Sequence, residues 1–228
     1  MLTATDIKRI VGVRAADLVR QEMIIGLGTG STVLWLIREL EIRIKDGLRV
    51  SAVPTSKETA SLAEKAGIII TGLDGIDRLE LAIDGADEID QQGVMIKGGG
   101  GALLQEKIVA HASDKLVIIV DGSKQVLQLG KFPLPVEVIP FGHRQVRESI
   151  LQSGGCDKVE LRERDGKTFI TDQGHNILDC HYGRILDPVG LNRFLHDIPG
   201  VVETGLFIKM ASSALIGRPD GSVDEISF

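Results

Sequence analysis

The sequence predicts an α/β protein, an open, mostly parallel sheet with flanking helices, into which a smaller α+β domain is inserted. Three observations carry this. Apolar runs of strand length, at residues 23–25, 48–53, 68–70, 79–83 and 116–120, alternate with stretches of helical periodicity. Several of these runs end in Gly, Asp, Thr or Ser, the residues expected where ligands bind beyond the C-terminal ends of parallel strands. From Pro133 onward the pattern changes to short alternating strands and turns, which marks an antiparallel α+β unit.

Residues 4–20 place Ile7, Ile10, Val11, Ala15 and Leu18 at helical spacing. The run at 23–25 passes into Gly26-Leu27-Gly28-Thr29-Gly30-Ser31-Thr32 and then into a helix reaching about Leu40. A glycine turn between strand and helix is a phosphate-binding pattern, because bare backbone admits close approach and a helix N-terminus carries positive potential. A nucleotide P-loop needs Lys after its last glycine, where Ser31 stands. The dinucleotide fingerprint fails at its third glycine, again Ser31. The next strand ends in Pro54-Thr55-Ser56, with no acid for a ribose. What remains is a turn rich in N–H groups around Gly30 with three hydroxyls, Thr29, Ser31 and Thr32, which suits a compact phosphate monoester. The plain alternative is a hydroxyl-capped glycine turn without a ligand. Trp35, on the following helix, reads as core.

Residues 58–66 read as helix and 68–70 as strand. Leu79, Leu81 and Ile83 form a buried strand, with Asp84 where it ends and Gly85, Ala86 and Asp87 in the loop beyond, so both carboxylates are expected at an edge and not in a core. The run at 94–96 delivers Lys97 into Gly98, Gly99, Gly100 and Gly101, after which 102–112 reads as helix. On that helix Leu104, Ile108 and His111 form one stripe, and Glu106 points the other way among Ala102, Val109 and Ala110. No basic residue lies three or four positions from Glu106, so the usual helical ion-pair partner is missing. A partly desolvated carboxylate in that setting has a raised pKa suited to proton transfer. The alternative is a solvated surface glutamate. The strand at 116–120 ends in Asp121-Gly122-Ser123-Lys124, where Lys124 is either a surface lysine or a second phosphate contact.

The segment Phe132-Pro133-Leu134-Pro135 opens the second pattern. A strand at 136–138 and a helix at 144–152 precede a meander of 158–162, 167–171 and 177–180, turned at Asp165-Gly166 and Asp172-Gln173-Gly174. A helix at 191–196 and a strand at 201–207 complete it. The expected boundaries are 1–131 and 206–228 for the main α/β domain and 132–205 for the small one. Residues 206–217 then return to the main sheet, and a last hairpin turns at Arg218-Pro219-Asp220-Gly221.

Composition narrows the function. The 228 residues are 43% hydrophobic and 25% charged, ordinary globular proportions. A net charge of −6 without a basic tract argues against a nucleic-acid partner. No apolar run approaches the roughly 18 residues of a membrane span, and the N-terminus is unlike a signal peptide, so no membrane role and a cytoplasmic location are expected. The two cysteines and scattered histidines have no metal-ligand spacing. The Asp-rich loop fails the calcium template, since Ala86 and Met95 fall on ligand positions and Ile89 on its central glycine. Neither metal nor cofactor is expected.

Four blocks now stand in order: Gly26 to Thr32, Asp84-Gly85-Ala86-Asp87-Glu88, Lys97-Gly98-Gly99-Gly100 with Glu106-Lys107, and Asp121-Gly122-Ser123-Lys124. Together with Pro54-Thr55-Ser56, the segment Gly130 to Val138 and Ile185-Leu186-Asp187-Pro188, they resemble the type A ribose-5-phosphate isomerases over nearly the whole chain. The resemblance implies a Rossmann-like main domain, a ferredoxin-like insertion and a homo-oligomer, dimer or tetramer. It also implies interconversion of ribose 5-phosphate and ribulose 5-phosphate in the pentose phosphate pathway. Thr29, Gly30, Ser31, Thr32 and Lys124 would hold the phosphate. Asp84, Gly85, Ala86, Asp87, Lys97, Gly98, Gly99 and Gly100 would line the sugar site, with Glu106 as the base. Two other classes fit parts of the pattern: a non-catalytic sugar-phosphate sensor, and an amino-sugar phosphate deaminase or acyl transferase on a similar sheet.

Overall fold

The computed structural model describes residues 2–228. In chain order the elements are α1 (Ala4–Ala16), β1 (Ile24–Leu27), α2 (Ser31–Lys45), β2 (Ser51–Pro54), α3 (Lys57–Lys65), β3 (Ile69–Ile70), β4 (Leu81–Asp84), β5 (Glu88–Ile89), β6 (Met95–Ile96), α4 (Leu103–His111) and β7 (Leu116–Asp121), the last followed by a 3-10 turn at Gly122–Lys124. There follow β8 (Leu134–Val138), α5 (His143–Gln152), β9 (Lys158–Leu161), β10 (Glu163–Arg164), β11 (Lys167–Thr168), β12 (Asn176–His181), α6 (Pro188–His196), β13 (Val201–Thr204), β14 (Leu206–Phe207), β15 (Ser213–Gly217) and β16 (Val223–Ser227).

The chain divides into two compact units, one made of residues up to 86 with 105–125 and 210–228, the other of 87–104 with 126–209. The first is built on a seven-stranded sheet of order β16-β15-β7-β4-β1-β2-β3. Every adjacent pair from β15 to β3 is parallel, and β16 alone runs antiparallel at one edge. The central strands are apolar on both faces, as helix-covered parallel strands must be; Ile25, Leu27, Ile83 and Ile119 are buried on one face and Ala82, Ile118 and Val120 on the other. Helix α1 starts with a capping box in which the Thr3 hydroxyl accepts from Asp6 N–H while the Asp6 carboxylate accepts from Thr3 N–H. It packs close on β15: a Cβ at Gly217 would come 2.5 Å from Ile7 and Val11. Strand order reverses between β1 and β4, so the sheet has its switch point there.

The second unit holds a four-stranded antiparallel sheet of order β13-β8-β12-β9 with α5 and α6, the ferredoxin-like βαββαβ arrangement. Leu134, Val136, Val138, Val159, Leu178 and Cys180 form its core with Val146, Ile150 and Leu195 of the helices. The expected meander differs in one place: 167–171 does not join this sheet, and only Lys167–Thr168 pairs, with β10, in a separate hairpin. The expected strand 201–207 is broken at Gly205, which lies so near the backbone after β6 that a Cβ would sit 2.4 Å from Lys97 O. Its second half, β14, pairs with β6, and β6 with β5, in a three-stranded sheet that the sequence reading did not contain. Those pairings tie 87–97 to 206–207, so 87–104 groups with 126–209 where the sequence boundaries had put it with 1–131. Only Ser213–Gly217 of the returning segment enters the main sheet.

Candidate active site

The first unit assembles its polar groups at the switch point. Gly28 N–H donates to Ile83 O at 2.9 Å, and Thr29 N–H to Asp84 Oδ1 at 3.1 Å. Asp84 Oδ1 also accepts from Gly85 N–H at 2.7 Å. Asp84 is therefore the last residue of β4 and only 3% exposed, not the loop-edge carboxylate expected from the sequence. Gly28 has to be glycine, because a Cβ would lie 2.1 Å from Asp84 Oδ1. Gly30 adopts φ 127° and ψ 176°, a region open essentially to glycine, and caps α2 without a side-chain hydrogen bond. The first turn of α2 carries no acid, so its N–H groups keep their positive potential.

The three hydroxyls of this turn behave differently. Thr29 Oγ1 lies 2.8 Å from Thr55 Oγ1, 2.9 Å from Ser56 Oγ and 3.1 Å from Thr59 Oγ1, and Thr59 donates to Gly28 O at 2.9 Å. This buried hydroxyl cluster stitches the end of β1 to the start of α3. Thr32 is buried, while Ser31 is exposed and accepts from Lys8 Nζ of α1 at 3.0 Å. Sequence reasoning missed Lys8 and Thr59; the one signal available was Ser56 as the N-cap of α3, three residues before Thr59. Lys124 follows β7, two strands from β1, and neighbouring strands lie about 4.8 Å apart, so the fold places it roughly 10 Å along the same edge. Asp121, before it, is buried and accepts from Ser123 N–H at 3.0 Å. Trp35 is only half-buried, with the Arg38 guanidinium 4.5 Å above its ring.

Helix α4 lies tight on the sheet: a Cβ at Gly26 would come 2.5 Å from Val109 Cγ1 and 2.7 Å from Ala82 Cβ. Its buried face includes Glu106, Val109 and Ala110, while Ile108 is 47% exposed and His111 is exposed. Glu106 is 4% exposed, which excludes the solvated-surface reading. It has an interaction partner in the fold, so the missing base at helical spacing did not leave it isolated. As the crossover between parallel β4 and β7, α4 runs against the strands, and Glu106 lies in its first turn, toward their C-terminal ends.

In the second unit Lys97 directly follows β6 and is 2% exposed. Its N–H donates to Gly205 O at 2.9 Å and its Nζ stands 5.3 Å from the centroid of buried Phe207. Asp87 Oδ2 accepts from Gly99 N–H at 2.7 Å. The Gly101 N–H donates to Gly98 O at 3.0 Å, so two amides of the expected bare run serve the protein itself. Gly98 and Gly101 have φ of 99° and 91°, and the Phe169 ring fills the space a Cβ at Gly101 would need. Ala86 and Gly85 link the two aspartates in sequence.

A parallel sheet with a glycine–hydroxyl turn and a buried carboxylate at its switch point defines an α/β ligand-binding protein of the doubly wound class. The chain belongs to the ribose 5-phosphate isomerase A (phosphoriboisomerase A) family, whose model matches residues 51–221. It is 52% identical over 221 residues to ribose-5-phosphate isomerase A of Rhodopseudomonas palustris (strain HaA2), with 95% of each chain covered. It is likewise 52% identical over 217 residues to that of Bacillus mycoides (strain KBAB4), covering 95% of this chain and 97% of that one. Among solved structures, a D-ribose-5-phosphate isomerase in complex with phospho-erythronic acid superposes with a TM-score of 0.94 at 36% identity, all of both chains covered. The Plasmodium falciparum ribose 5-phosphate isomerase gives 0.94 at 37% identity over 98% and 99% of the two chains.

Proposed function

We propose that the chain interconverts ribose 5-phosphate and ribulose 5-phosphate through an enediolate, with Glu106 as the proton-transfer base. The observation that carries the reading is the match to isomerases of this name across 95% of both chains; it favours an isomerase over the sensor and over the deaminase or acyl transferase. In the open-chain aldose, Glu106 takes the proton from the carbon beside the carbonyl and returns it to the former carbonyl carbon. As that first proton leaves, negative charge grows on the carbonyl oxygen, which takes up the proton of the neighbouring hydroxyl before the carbon proton is returned. Preorganised donors stabilise such charge best away from water, and the buried Lys97 ammonium with the amides of Gly98 and Gly100 are the donors in this reading, the Gly99 amide being engaged by Asp87. Asp84 and Asp87 move protons on the sugar hydroxyls and assist ring opening. The N–H groups of Gly30, Ser31 and Thr32, the Ser31 and Thr32 hydroxyls and Lys124 hold the phosphate, joined by Lys8, whose ammonium already meets Ser31, while Thr29, its N–H engaged by Asp84, shapes the turn. No metal or cofactor has a part in these steps, and the enzyme works as a cytoplasmic homo-oligomer.

The test is incubation of the purified protein with ribose 5-phosphate in excess chelator, reading ribulose 5-phosphate formed. Rapid formation of the ketose is expected. Binding without turnover identifies a sensor, and ammonia from an amino-sugar phosphate identifies a deaminase. Activity that is lost in chelator and restored by a divalent ion refutes the metal-free mechanism.

A further inference from the structure

We propose that Arg162, held by Asp179, is a positioning residue that sets the direction of the Gly99 and Gly100 amides and of the Asp87 carboxylate. Its consequence for turnover rests on the isomerase reading above. Arg162 directly follows β9, and its N–H donates to Ile177 O at 2.8 Å, which continues the pairing with β12 and puts its side chain on the face shared by Asp179. There the guanidinium grips the carboxylate with two nitrogens, Nε donating to Oδ2 at 2.9 Å and Nη2 to Oδ1. Both side chains are largely buried, 11% and 20% exposed, so the pair is shielded from water.

The remaining nitrogen reaches the glycine run. Nη1 donates to Gly98 O at 2.7 Å and to Gly99 O at 3.2 Å. A trans peptide points its C=O and N–H in opposite directions, so holding these two carbonyls turns the Gly99 and Gly100 N–H groups away from the guanidinium. The first of those amides meets Asp87 Oδ2 at 2.7 Å. One cation thus acts through a single peptide unit on a carboxylate assigned to the sugar site, and a charged donor on the carbonyl strengthens the amide across the same peptide. Glycines have no conformational preference to do this themselves. The same hairpin supplies the rest of the backing: Phe169 N–H donates to Arg162 O at 2.9 Å, its ring fills the space beside Gly101, and Arg164 stacks 4.5 Å above that ring. Lysine, a point charge, cannot make the fork and the carbonyl contact together.

The experiment compares the full-length protein with Arg162→Met, Arg162→Lys and Asp179→Asn by steady-state kinetics on ribose 5-phosphate and by amide hydrogen exchange. Misplacing groups that surround a reacting centre costs on the order of 100-fold. Arg162→Met is expected to lower kcat by about 10- to 100-fold with KM nearly unchanged, Arg162→Lys to recover part of the loss, and Asp179→Asn to fall between. Exchange should quicken in the glycine run and stay at wild-type rates in β8 and β12. Unchanged exchange in the glycine run, unchanged kcat, or quickened exchange throughout β8 and β12 would each overturn the proposal, the last by showing a merely structural role. If Arg162→Met does not fold, Arg162→Lys and Asp179→Asn decide the matter by the same readings. If the wild-type protein does not isomerise ribose 5-phosphate, the functional reading fails, and the exchange pattern still decides whether Arg162 positions the run.

Discussion

At the scale of single residues, burial separates the acids that the sequence presented as alike. Glu106 and Asp84 are almost fully enclosed, while Asp87 is half-buried and tied to one glycine amide. An enclosed carboxylate on a helix packed against the sheet is held still, which is what a base shuttling a proton between adjacent carbons requires. Glu106→Gln preserves shape and removes basicity. It is expected to lower kcat by about 10²–10⁴-fold with ribose 5-phosphate still bound, because the proposed phosphate contacts lie on other residues. If the variant binds substrate and isomerises it within about tenfold of wild type, well short of that loss, Glu106 is not the base, and Asp84 or Asp87 takes the role.

Between elements, the α1–α2 pair shows how the fold manages charge. Asp17 caps the C-terminus of α1, where the helix dipole disfavours an acid. It is compensated by Arg43 of α2, Nη2 at 2.8 Å, and by Arg14 at 3.1 Å. The hydrogen bond from Arg43, then that from Arg14, holds the Asp17 carboxyl below its ordinary value of 3.8. A group whose folded pKa is depressed stabilises the fold above its unfolded pKa and loses that contribution as pH falls through the folded value. About half of this side chain is exposed, so solvent screening limits the gain. Asp17→Asn is expected to cost about 0.2–1 kcal/mol at neutral pH, read from denaturant midpoints, with the difference closing below pH 3.8. A cost that persists undiminished in acid would refute the ion-pair account.

For the molecule as a whole, the smaller unit displays Phe141, Leu127 and Leu186 at 88%, 87% and 82% exposure. Covering a side chain of this size contributes about 1.5–3 kcal/mol, a reason for copies of the chain to associate. Sedimentation at micromolar concentration is expected to give a multiple of the 24.6 kDa chain mass; a single-chain mass would refute the homo-oligomer.

The sequence by itself determined the alternation of strands and helices, the glycine turn before α2, the order of the four polar blocks and the change of pattern at Pro133. Each of these follows from local periodicity or from backbone room that only glycine leaves, so each can be read within a short window. Spacing alone also put Glu106, Val109 and Ala110 on one face of α4, but that this face is the buried one was decided by the packing of the helix on the sheet. The tertiary structure decided what depends on partners far apart in the chain. It enclosed Asp84 beneath Thr29, joined Lys8 to Ser31, gathered Thr29 with Thr55, Ser56 and Thr59, and broke the strand at Gly205 so that β14 pairs with β6. It also brought Arg162 onto the carbonyls of Gly98 and Gly99, 64 and 63 positions away. No local pattern encodes these contacts, because each side chain finds its partner only after the sheets have set their register.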